Sequence, residues 1–248
     1  MEHEGPSAAA APRRVEWRRA WRALRRLIAD PDRTEEVFEL IHALSGRSGE
    51  RLFRRFRSTP DGRHLLEARP SLLAALSDRA RLVALPVGSL GRAYAEFMSE
   101  EDLDAGGLAD AAAAVPDRDD APDAEHRWFF DRLRDMHDLW HVVTGYGRDV
   151  AGEAANLAFT YAQTRNRGIG AIVVAAAFVG PKAGLRWQRY LLQAWRRGRR
   201  AAALPMAAWE ELLPLPLEEV RARLRIQAPG DAHPGGIIVA DRPAPATV

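Results

Sequence analysis

The segment Arg132–Phe159 reads RLRDMHDLWHVVTGYGRDVAGEAANLAF, and its pattern decides the fold. Its first part continues a helical pattern that covers residues 126–144. A glycine-containing connection, Thr-Gly-Tyr-Gly-Arg-Asp, then interrupts the pattern. A second helix is expected over residues 150–165. Because the connection is short, the two helices should lie side by side in antiparallel order.

His137, Asp138 and His141 are the candidate metal ligands on the first of these helices. The two histidines lie about 6 Å apart along the helix axis and about 40° apart around it. Asp138 lies about 100° from His137, so one divalent ion can reach all three side chains. Apolar residues occupy the neighbouring arc, namely Phe129, Leu133, Met136, Trp140 and Val143. The pattern therefore places a metal at the edge of an apolar pocket.

Glu153 is the fourth candidate ligand, since it follows early on the second helix, twelve residues after His141. It shares an arc with Leu157 and Tyr161, which should face inward. A carboxylate in that position is costly unless a positive group meets it. A metal held between the two helices supplies that group.

A polar cluster without a metal is the alternative. In it, Asp138 pairs with His137 and Arg134, and Glu153 pairs with Arg148. The chain contains no cysteine, so any metal must be held by imidazole and carboxylate groups, which suit zinc, manganese or ferrous iron. Two histidines and two carboxylates fill a tetrahedral site, or leave an open position if the ion expands its shell.

Composition limits the class of protein. A chain of 248 residues, with 47% hydrophobic and 28% charged residues, suits a folded domain with a sizeable core. The formal net charge is only +2, and the arginines are interleaved with acids, so nucleic-acid binding is not expected. The N-terminus begins with acidic residues and lacks the apolar run of a secretory signal.

Helical patterns separated by Gly, Ser-Thr-Pro and Arg-Pro breaks continue on both sides: 34–45, 47–58, 61–66, 70–76, 92–98, 186–197, 206–213 and 216–226. Alternating β patterns are scarce. We therefore predict an all-α fold, a single multi-helix domain over residues 15–227. It should hold a metal site on two adjacent antiparallel helices and an apolar lipid-binding tunnel. Residues 1–14 should form a disordered tail, 228–248 a flexible C-terminal tail and 99–125 a long acidic surface loop.

Three segments bear on contact with lipid. The apolar run IGAIVVAAAFVG, Ile169–Gly180, is shorter than the about 20 apolar residues of a transmembrane helix. It is expected to be a buried core helix, and a tunnel wall or membrane-dipping segment is the alternative. Trp17 and Trp21 are expected to pack on the core. An interfacial helix on anionic lipid is the alternative there, since arginines fill its other faces. The basic aromatic segment Arg186–Arg197 also suits a membrane surface.

Three stretches resemble the ubiquinone (coenzyme Q) biosynthesis protein 4 family. HDLWH, followed after eleven residues by Glu153, is similar to the family signature HDxxH-x11-E. Leu85–Met98, LPVGSLGRAYAEFM, is similar to the family segment LPxxTxGxxYxxFM. Trp209–Ile226, WEELLPLPLEEVRARLRI, resembles its closing W-E, P-L and R-x-x-L-x-I pattern. The resemblance covers most of residues 15–227.

The resemblance implies a helical, membrane-associated protein with a divalent metal, usually taken as zinc, at the signature. His137, Asp138, His141 and Glu153 match its metal positions, and Arg134 matches an arginine commonly found just before it. The implied activity is an oxidative decarboxylation, in which a hydroxyl replaces the ring C1 carboxylate of a prenylated ubiquinone precursor. The family's other proposed role is that of a scaffold for the biosynthetic complex.

Two features depart from the family pattern. The acidic stretch 99–125 does not resemble the segment that usually leads to the signature, so the lid of the pocket or a partner surface should differ. Asn156 stands where a lysine is expected, so a charge interaction at that position is not expected here.

Arg134 and Tyr161 are the candidate catalytic residues. Arg134 could bind a substrate carboxylate through both of its terminal nitrogens, or it pairs with Asp138 or Asp131. Tyr161 could orient the substrate, or it packs with a satisfied hydroxyl. The prenyl tail should lie along residues 169–178.

Two other functions stay open from the sequence. One is a non-catalytic scaffold, in which the metal pins two helices together and the tunnel presents a prenyl lipid. The other is a metal phosphohydrolase of the HD type, but His42, His64 and His126 do not supply its further ligands. The expected partners are a prenylated quinone precursor or other isoprenoid lipid, a membrane surface, other ubiquinone biosynthesis proteins and a second copy of the chain. The expected location is the cytoplasmic face of the bacterial inner membrane.

Overall fold

The computed structural model describes residues 15–29, 33–101, 103–107, 121, 123–179 and 184–227. The predicted tails 1–14 and 228–248, and most of the acidic stretch 99–125, lie outside the described residues. The described part is helical and contains no β-strand, only an isolated bridge between Ser89 and Pro216. The prediction of an all-α fold is confirmed.

Fourteen α-helices and one 3-10 turn lie within the described residues. They are α1 Trp17–Ala29, α2 Thr34–Ser45, α3 Ser48–Ser58, α4 Pro60–Ala68, α5 Leu72–Ser77, α6 Arg79–Ala84, α7 Leu90–Glu100, α8 Ala124–Asp135, α9 His137–Thr144, α10 Val150–Thr164, α11 Arg167–Val179, α12 Leu185–Arg200, the 3-10 turn Leu204–Met206, α13 Trp209–Leu212 and α14 Leu217–Arg223. Most predicted bounds agree with these to within three residues. The sequence patterns missed α6.

One expected helix, residues 126–144, is two helices, because α8 ends at Asp135 and α9 begins at His137. Met136 joins them with φ −81° and ψ 0°, and its amide donates to the Arg132 carbonyl at 3.1 Å. Periodicity does not detect this break, since no glycine or proline marks it and Met136 stays near helical geometry. The break gives α9 a direction of its own.

Three apolar clusters form the core. The largest surrounds Leu139, Phe159 and Trp209, all fully buried, and includes the most extensive helix–helix contact, between α10 and α12. Gly198 permits that contact, since a Cβ there would lie 2.6 Å from the Phe159 carbonyl oxygen. A second cluster joins α3, α4 and α8, and a third joins α1, α2 and α11.

The expectation that Trp17 and Trp21 pack on the core is wrong. They are 72% and 61% exposed, whereas Ala20 and Ala23 are buried against α2. The small alanines let the two helices approach closely, which leaves no room for indoles between them.

The expectation of a buried core helix over 169–180 is confirmed for one part of the helix and wrong for another. Ile169 and Ile172 of α11 are buried, but Val174 and Phe178 are 59% and 67% exposed. Among the described residues, no helix combines the length and apolar character needed to cross a membrane. The role of α11 as a tunnel wall stays a prediction.

A buried ion pair fixes the end of α8 that leads into α9. The Arg132 guanidinium, 2% exposed, donates to both carboxylate oxygens of Glu210 at 2.6 and 2.7 Å and to the Ala207 carbonyl at 3.1 Å. Its charge also lies 5.5 Å from the centre of the Trp128 ring. The pair ties α8 to the start of α13.

We predict that Glu210→Gln lowers the free energy of unfolding by about 3 kcal/mol, because it leaves the buried Arg132 charge without its anion. Denaturant unfolding followed by circular dichroism measures the loss. Glu219→Gln is the control, since Glu219 pairs with the exposed Arg223, and it should cost less than about 1 kcal/mol. Equal losses in the two variants would contradict this account.

Candidate metal centre

Three ligand-type atoms converge where α9 meets α10. His141 Nε2 lies 3.2 Å from His137 Nε2 and 3.4 Å from Glu153 Oε2, and His137 Nε2 lies 3.8 Å from the same oxygen. In the part of the chain that the structure describes, these three residues form the one group of three histidine or acidic side chains close enough to share an ion.

The start of α10 is fixed by Asp149, which places Glu153 in the first turn. The Asp149 carboxylate accepts hydrogen bonds from the amides of Ala151 and Gly152 at 2.9 and 3.0 Å. A Cβ on Gly152 would lie 1.9 Å from the Gly147 carbonyl oxygen, so the connecting loop packs directly on this turn. The positive end of the helix dipole also favours the Glu153 carboxylate here.

The end of α9 is held by two arginines from distant parts of the chain. Arg221 of α14 donates to the carbonyls of Val143 and Val142 at 3.0 and 3.1 Å, and Arg197 of α12 donates to the Thr144 carbonyl at 2.9 Å. Both satisfy carbonyls that a helix end leaves without partners. The sequence patterns did not indicate this role for either arginine.

His141 is held in one orientation and one tautomer. Its ring is 1% exposed and stacks on Phe97, with ring centres 5.9 Å apart and planes 16° apart. Its Nδ1 lies 3.0 Å from the Tyr146 carbonyl oxygen. A carbonyl only accepts hydrogen bonds, so Nδ1 carries the proton and the Nε2 lone pair faces the cluster. Metal-binding histidines commonly have such an outer partner.

The electrostatics of the cluster favour a bound cation. Burial alone would raise the pKa of Glu153, but the adjacent His137 and His141 rings outweigh it and lower that pKa. Burial would lower the pKa of His137, but Glu153 and Asp138 outweigh it and raise that pKa. The site thus combines the ionised carboxylate of Glu153 with a His137 imidazole whose positive form is favoured.

The three atoms suit a divalent metal. Ligand bonds of about 2.0–2.2 Å at tetrahedral angles separate two ligand atoms by about 3.3–3.6 Å, close to the three spacings found. Three lone pairs this close repel one another unless a proton or a cation lies between them. The donor set of two imidazoles and one carboxylate is the type found in catalytic zinc sites.

Asp138 is buried, 6% exposed, but is not in this group of three. Burial and the negative charge of Asp138 together raise the pKa of Tyr94, a buried residue of α7. The structure thus brings together three of the four predicted ligands, and the role of Asp138 as a ligand stays a prediction.

Both parts of the metal-free alternative can be compared with the structure. Arg148 does pair with Glu153, at 3.2 Å, but through Oε1, whereas the histidines face Oε2. Arg134 donates to Asp131 at 2.7 Å and to Asp135 at 2.6 and 2.9 Å. The pairing of Arg134 with Asp131 is an alternative that the sequence allowed. Asp131 lies on α8 together with Arg134, and Asp135 is the last residue of that helix.

Tyr161 lies away from the cluster. It follows Glu153 by eight residues on α10, which is about 12 Å along the helix axis. Its ring lies against Gly170 of α11, where a Cβ would come within 2.8 Å of it. Its position fits packing between α10 and α11, and its catalytic role stays a prediction.

Asn156 is a buried polar residue that sequence reasoning singled out only as a departure from the family pattern. It lies one turn beyond Glu153 and is 0% exposed, and its Oδ1 and Nδ2 have no hydrogen-bond partner among the described residues. Thr160 Oγ1, one turn further, is unpaired in the same way. Buried polar atoms are nearly always satisfied, so these atoms need partners that the described residues do not supply.

Comparison with known proteins assigns most of the chain to one protein family. A family model described as coenzyme Q (ubiquinone) biosynthesis protein Coq4 matches residues 20–230. Relatives described as mitochondrial ubiquinone biosynthesis proteins COQ4 include those of Arthroderma otae, 35% identical over 177 residues, and Talaromyces stipitatus, 33% identical over 179 residues. Each match covers 70% of this chain, but it spans only 63% and 58% of the two relatives.

A solved structure shows the same fold. It is that of a protein from Nostoc punctiforme PCC 73102 described as a ubiquinone biosynthesis protein, with a TM-score of 0.63 and 22% sequence identity. The match covers 85% of this chain and 98% of the other.

We predict that the chelator-treated protein binds about one equivalent of zinc, manganese or ferrous iron, because three donor atoms converge on one point. Substitutions next to a metal ligand typically weaken metal binding by about 10–100-fold. His141→Ala and Glu153→Gln remove ligands themselves, so each should weaken binding by more than that. Asp138→Asn should have a smaller effect. Titration calorimetry and elemental analysis measure binding.

His64→Ala is the control for this titration, since His64 is exposed on α4, and it should leave the affinity unchanged. A loss of affinity in this control, or retention of metal by both ligand variants, would contradict the assignment.

Proposed function

The chain belongs to the coenzyme Q (ubiquinone) biosynthesis protein Coq4 family, and on that premise we propose that it acts in coenzyme Q biosynthesis as a metal-dependent enzyme. Its substrate would be a prenylated aromatic precursor, whose ring C1 carboxylate is replaced by a hydroxyl. The observation that carries the proposal is the convergence of His137, His141 and Glu153 at the junction of two helices.

The proposed reaction breaks the bond between ring C1 and the carboxylate carbon, which leaves as carbon dioxide. A new carbon–oxygen bond forms at C1, so the substrate as a whole loses two electrons, one at ring C1 and one at the carboxylate carbon. With dioxygen as the oxidant, the balance is ArCOOH + H2O + O2 → ArOH + CO2 + H2O2. Zinc has no redox chemistry of its own, so electrons would pass directly from the activated ring to dioxygen, or the ion would be manganese or iron.

His137, His141 and Glu153 would hold the metal, and a bound divalent ion acts as a Lewis acid towards a carboxylate or a developing oxyanion. The chain's own residues set the rest of the site. The Tyr146 carbonyl keeps the His141 proton on Nδ1, away from the cluster. Arg148 holds Glu153 Oε1, which leaves Oε2 for the cluster. These two contacts hold the His141 ring and the Glu153 carboxylate in place.

Asn156 and α11 would position the substrate. The unpaired Asn156 amide, one turn from Glu153, can donate to a ring oxygen and accept from a ring hydroxyl. Val173, Ala176 and Ala177 of α11 pack against the main apolar cluster, and a prenyl tail could lie along these small side chains. Arg134 would have to exchange Asp131 and Asp135 for the substrate carboxylate.

A non-catalytic scaffold that presents a prenyl lipid is the second candidate, and one observation favours it. Arg134 is engaged by its own neighbours and Tyr161 lies two turns from the cluster, so neither predicted catalytic residue is poised at the metal position. In that case the metal would serve to hold α9 and α10 together.

A membrane location belongs to the same proposal, since a precursor with a long prenyl tail resides in a bilayer. The relatives are described as mitochondrial, and the cytoplasmic face of a bacterial inner membrane stays a prediction for this chain. We also propose contacts with other ubiquinone biosynthesis proteins or with a second copy of the chain.

We predict that the metal-loaded protein, given a detergent-dispersed prenylated hydroxybenzoate and air, releases carbon dioxide and forms the ring-hydroxylated product. Mass spectrometry after reaction in labelled water should find one labelled oxygen in the product, and labelled dioxygen should appear in the hydrogen peroxide. Glu153→Gln should lower the rate by at least about 100-fold, since the variant loses a ligand of the metal that would stabilise the developing charge.

Glu219→Gln is the control for the assay, because it changes an exposed glutamate of α14 and should keep the rate. If metal raises the melting temperature but no product forms with any of the three metals, the scaffold is the better account.

A further inference from the structure

Helix α1 sorts its arginines into two sets. Arg19 and Arg26 point towards α2, where they donate to Glu39 and Glu36 at 2.5–2.9 Å. Arg18, Arg22 and Arg25, the second set, are exposed. None of these three has a carboxylate within 4.0 Å among the residues the structure describes. The carboxylates of α2 neutralise Arg19 and Arg26, whereas Arg18, Arg22 and Arg25 meet no carboxylate among the described residues.

The outward arginines and the exposed tryptophans share one face of α1. At 100° per residue, Trp17 and Trp21 lie about 40° apart, and Arg25, Arg18 and Arg22 follow about 40°, 60° and 100° further round. The buried Ala20 and Ala23 lie on the opposite side. The helix thus presents an indole band beside a guanidinium band, which together extend about 12 Å along the helix axis.

We propose that this face of α1, defined by Trp17, Trp21, Arg18, Arg22 and Arg25, docks on the surface of an anionic phospholipid bilayer. Indoles prefer the boundary between headgroups and acyl chains, because they combine a large apolar ring with one N–H donor. Guanidinium groups bind phosphate oxygens in pairs of hydrogen bonds. A surface that carries both, with no outward acid on the same band, matches an anionic lipid surface in polarity and in charge.

The position of α1 in the fold connects this surface to the proposed lipid path. Through Ala20 and Ala23, α1 packs in one apolar cluster with α2 and with Ile172 of α11. Leu157 of α10 packs against that same cluster. The docking surface deepens the proposed function, since a prenylated precursor would have to reach α11 from a bilayer.

Co-sedimentation of the full chain with vesicles tests the proposal. The vesicles contain phosphatidylcholine either alone or mixed with phosphatidylglycerol, and no metal or substrate is added. The wild-type chain should bind the mixed vesicles, and its binding should weaken as salt is added. Arg18→Gln/Arg22→Gln/Arg25→Gln should lower the affinity by about 100-fold at low salt.

A control variant with the same change in net charge distinguishes binding through this face of α1 from attraction by the net charge of the whole protein. Arg63→Gln/Arg79→Gln/Arg81→Gln removes three exposed arginines of α4 and α6 and should change binding by less than about twofold. An equal loss in the two triple variants would show attraction by net charge alone and overturn the proposal.

The indoles have their own readout. Trp17→Ala/Trp21→Ala should lower vesicle binding, including the part that persists at high salt. Brominated lipids should quench the wild-type fluorescence more than that of Trp17→Phe/Trp21→Phe, which keeps the other five of the chain's seven tryptophans. Unchanged vesicle binding in the alanine variant, or sedimentation of the wild type as a dimer that this variant abolishes, would assign the face to something other than lipid.

Vesicle binding and catalysis can fail separately. The vesicle assay contains no metal and no precursor, and the decarboxylation assay supplies its precursor in detergent. Failure to bind vesicles therefore leaves the enzyme assay informative, and absence of turnover leaves the docking surface standing.

Discussion

Three lone pairs brought within 4 Å of one another between α9 and α10 are the constraint on which the rest of the structure depends. Such an arrangement is unfavourable without a cation, so rigid surroundings must hold it. Asp149 sets the first turn of α10, and the Tyr146 carbonyl sets the tautomer of His141. Arg197 and Arg221 bind the last carbonyls of α9. The C-terminal third of the chain therefore supports the candidate metal centre directly.

The short loop between α9 and α10 brings Glu153 to the two histidines because of its glycines. Gly145 has φ +74°, in the left-handed region, where it ends α9 and turns the chain back. Gly152 then packs against the backbone of Gly147, and a Cβ on Gly152 would lie 1.9 Å from the Gly147 carbonyl oxygen. A side chain at Gly152 would push α10 away from α9 and separate Glu153 from the histidines.

The proposed functions occupy different parts of one core. The metal centre lies in the main cluster, between α9 and α10, and the proposed docking surface lies on α1, in the cluster that α1 forms with α2 and α11. Helix α11 contributes to both clusters. A lipid that enters beside α1 would therefore move along α11 towards Glu153, and the half-exposed state of α11 is consistent with such a path.

The sequence by itself determined the helical class, most helix bounds and the pairing of His137 with His141, because each follows from the local period of 3.6 residues. It also determined the family, through motifs spread along the chain. Only the tertiary structure decided that Glu153 completes the cluster, that Asp138 stands outside it and that Arg134 is engaged by its neighbours. The exposure of Trp17 likewise depends on α2, which packs on the alanine face of α1. Periodicity gives the angle of a side chain around its own helix, but what that side chain meets depends on the helices packed against it.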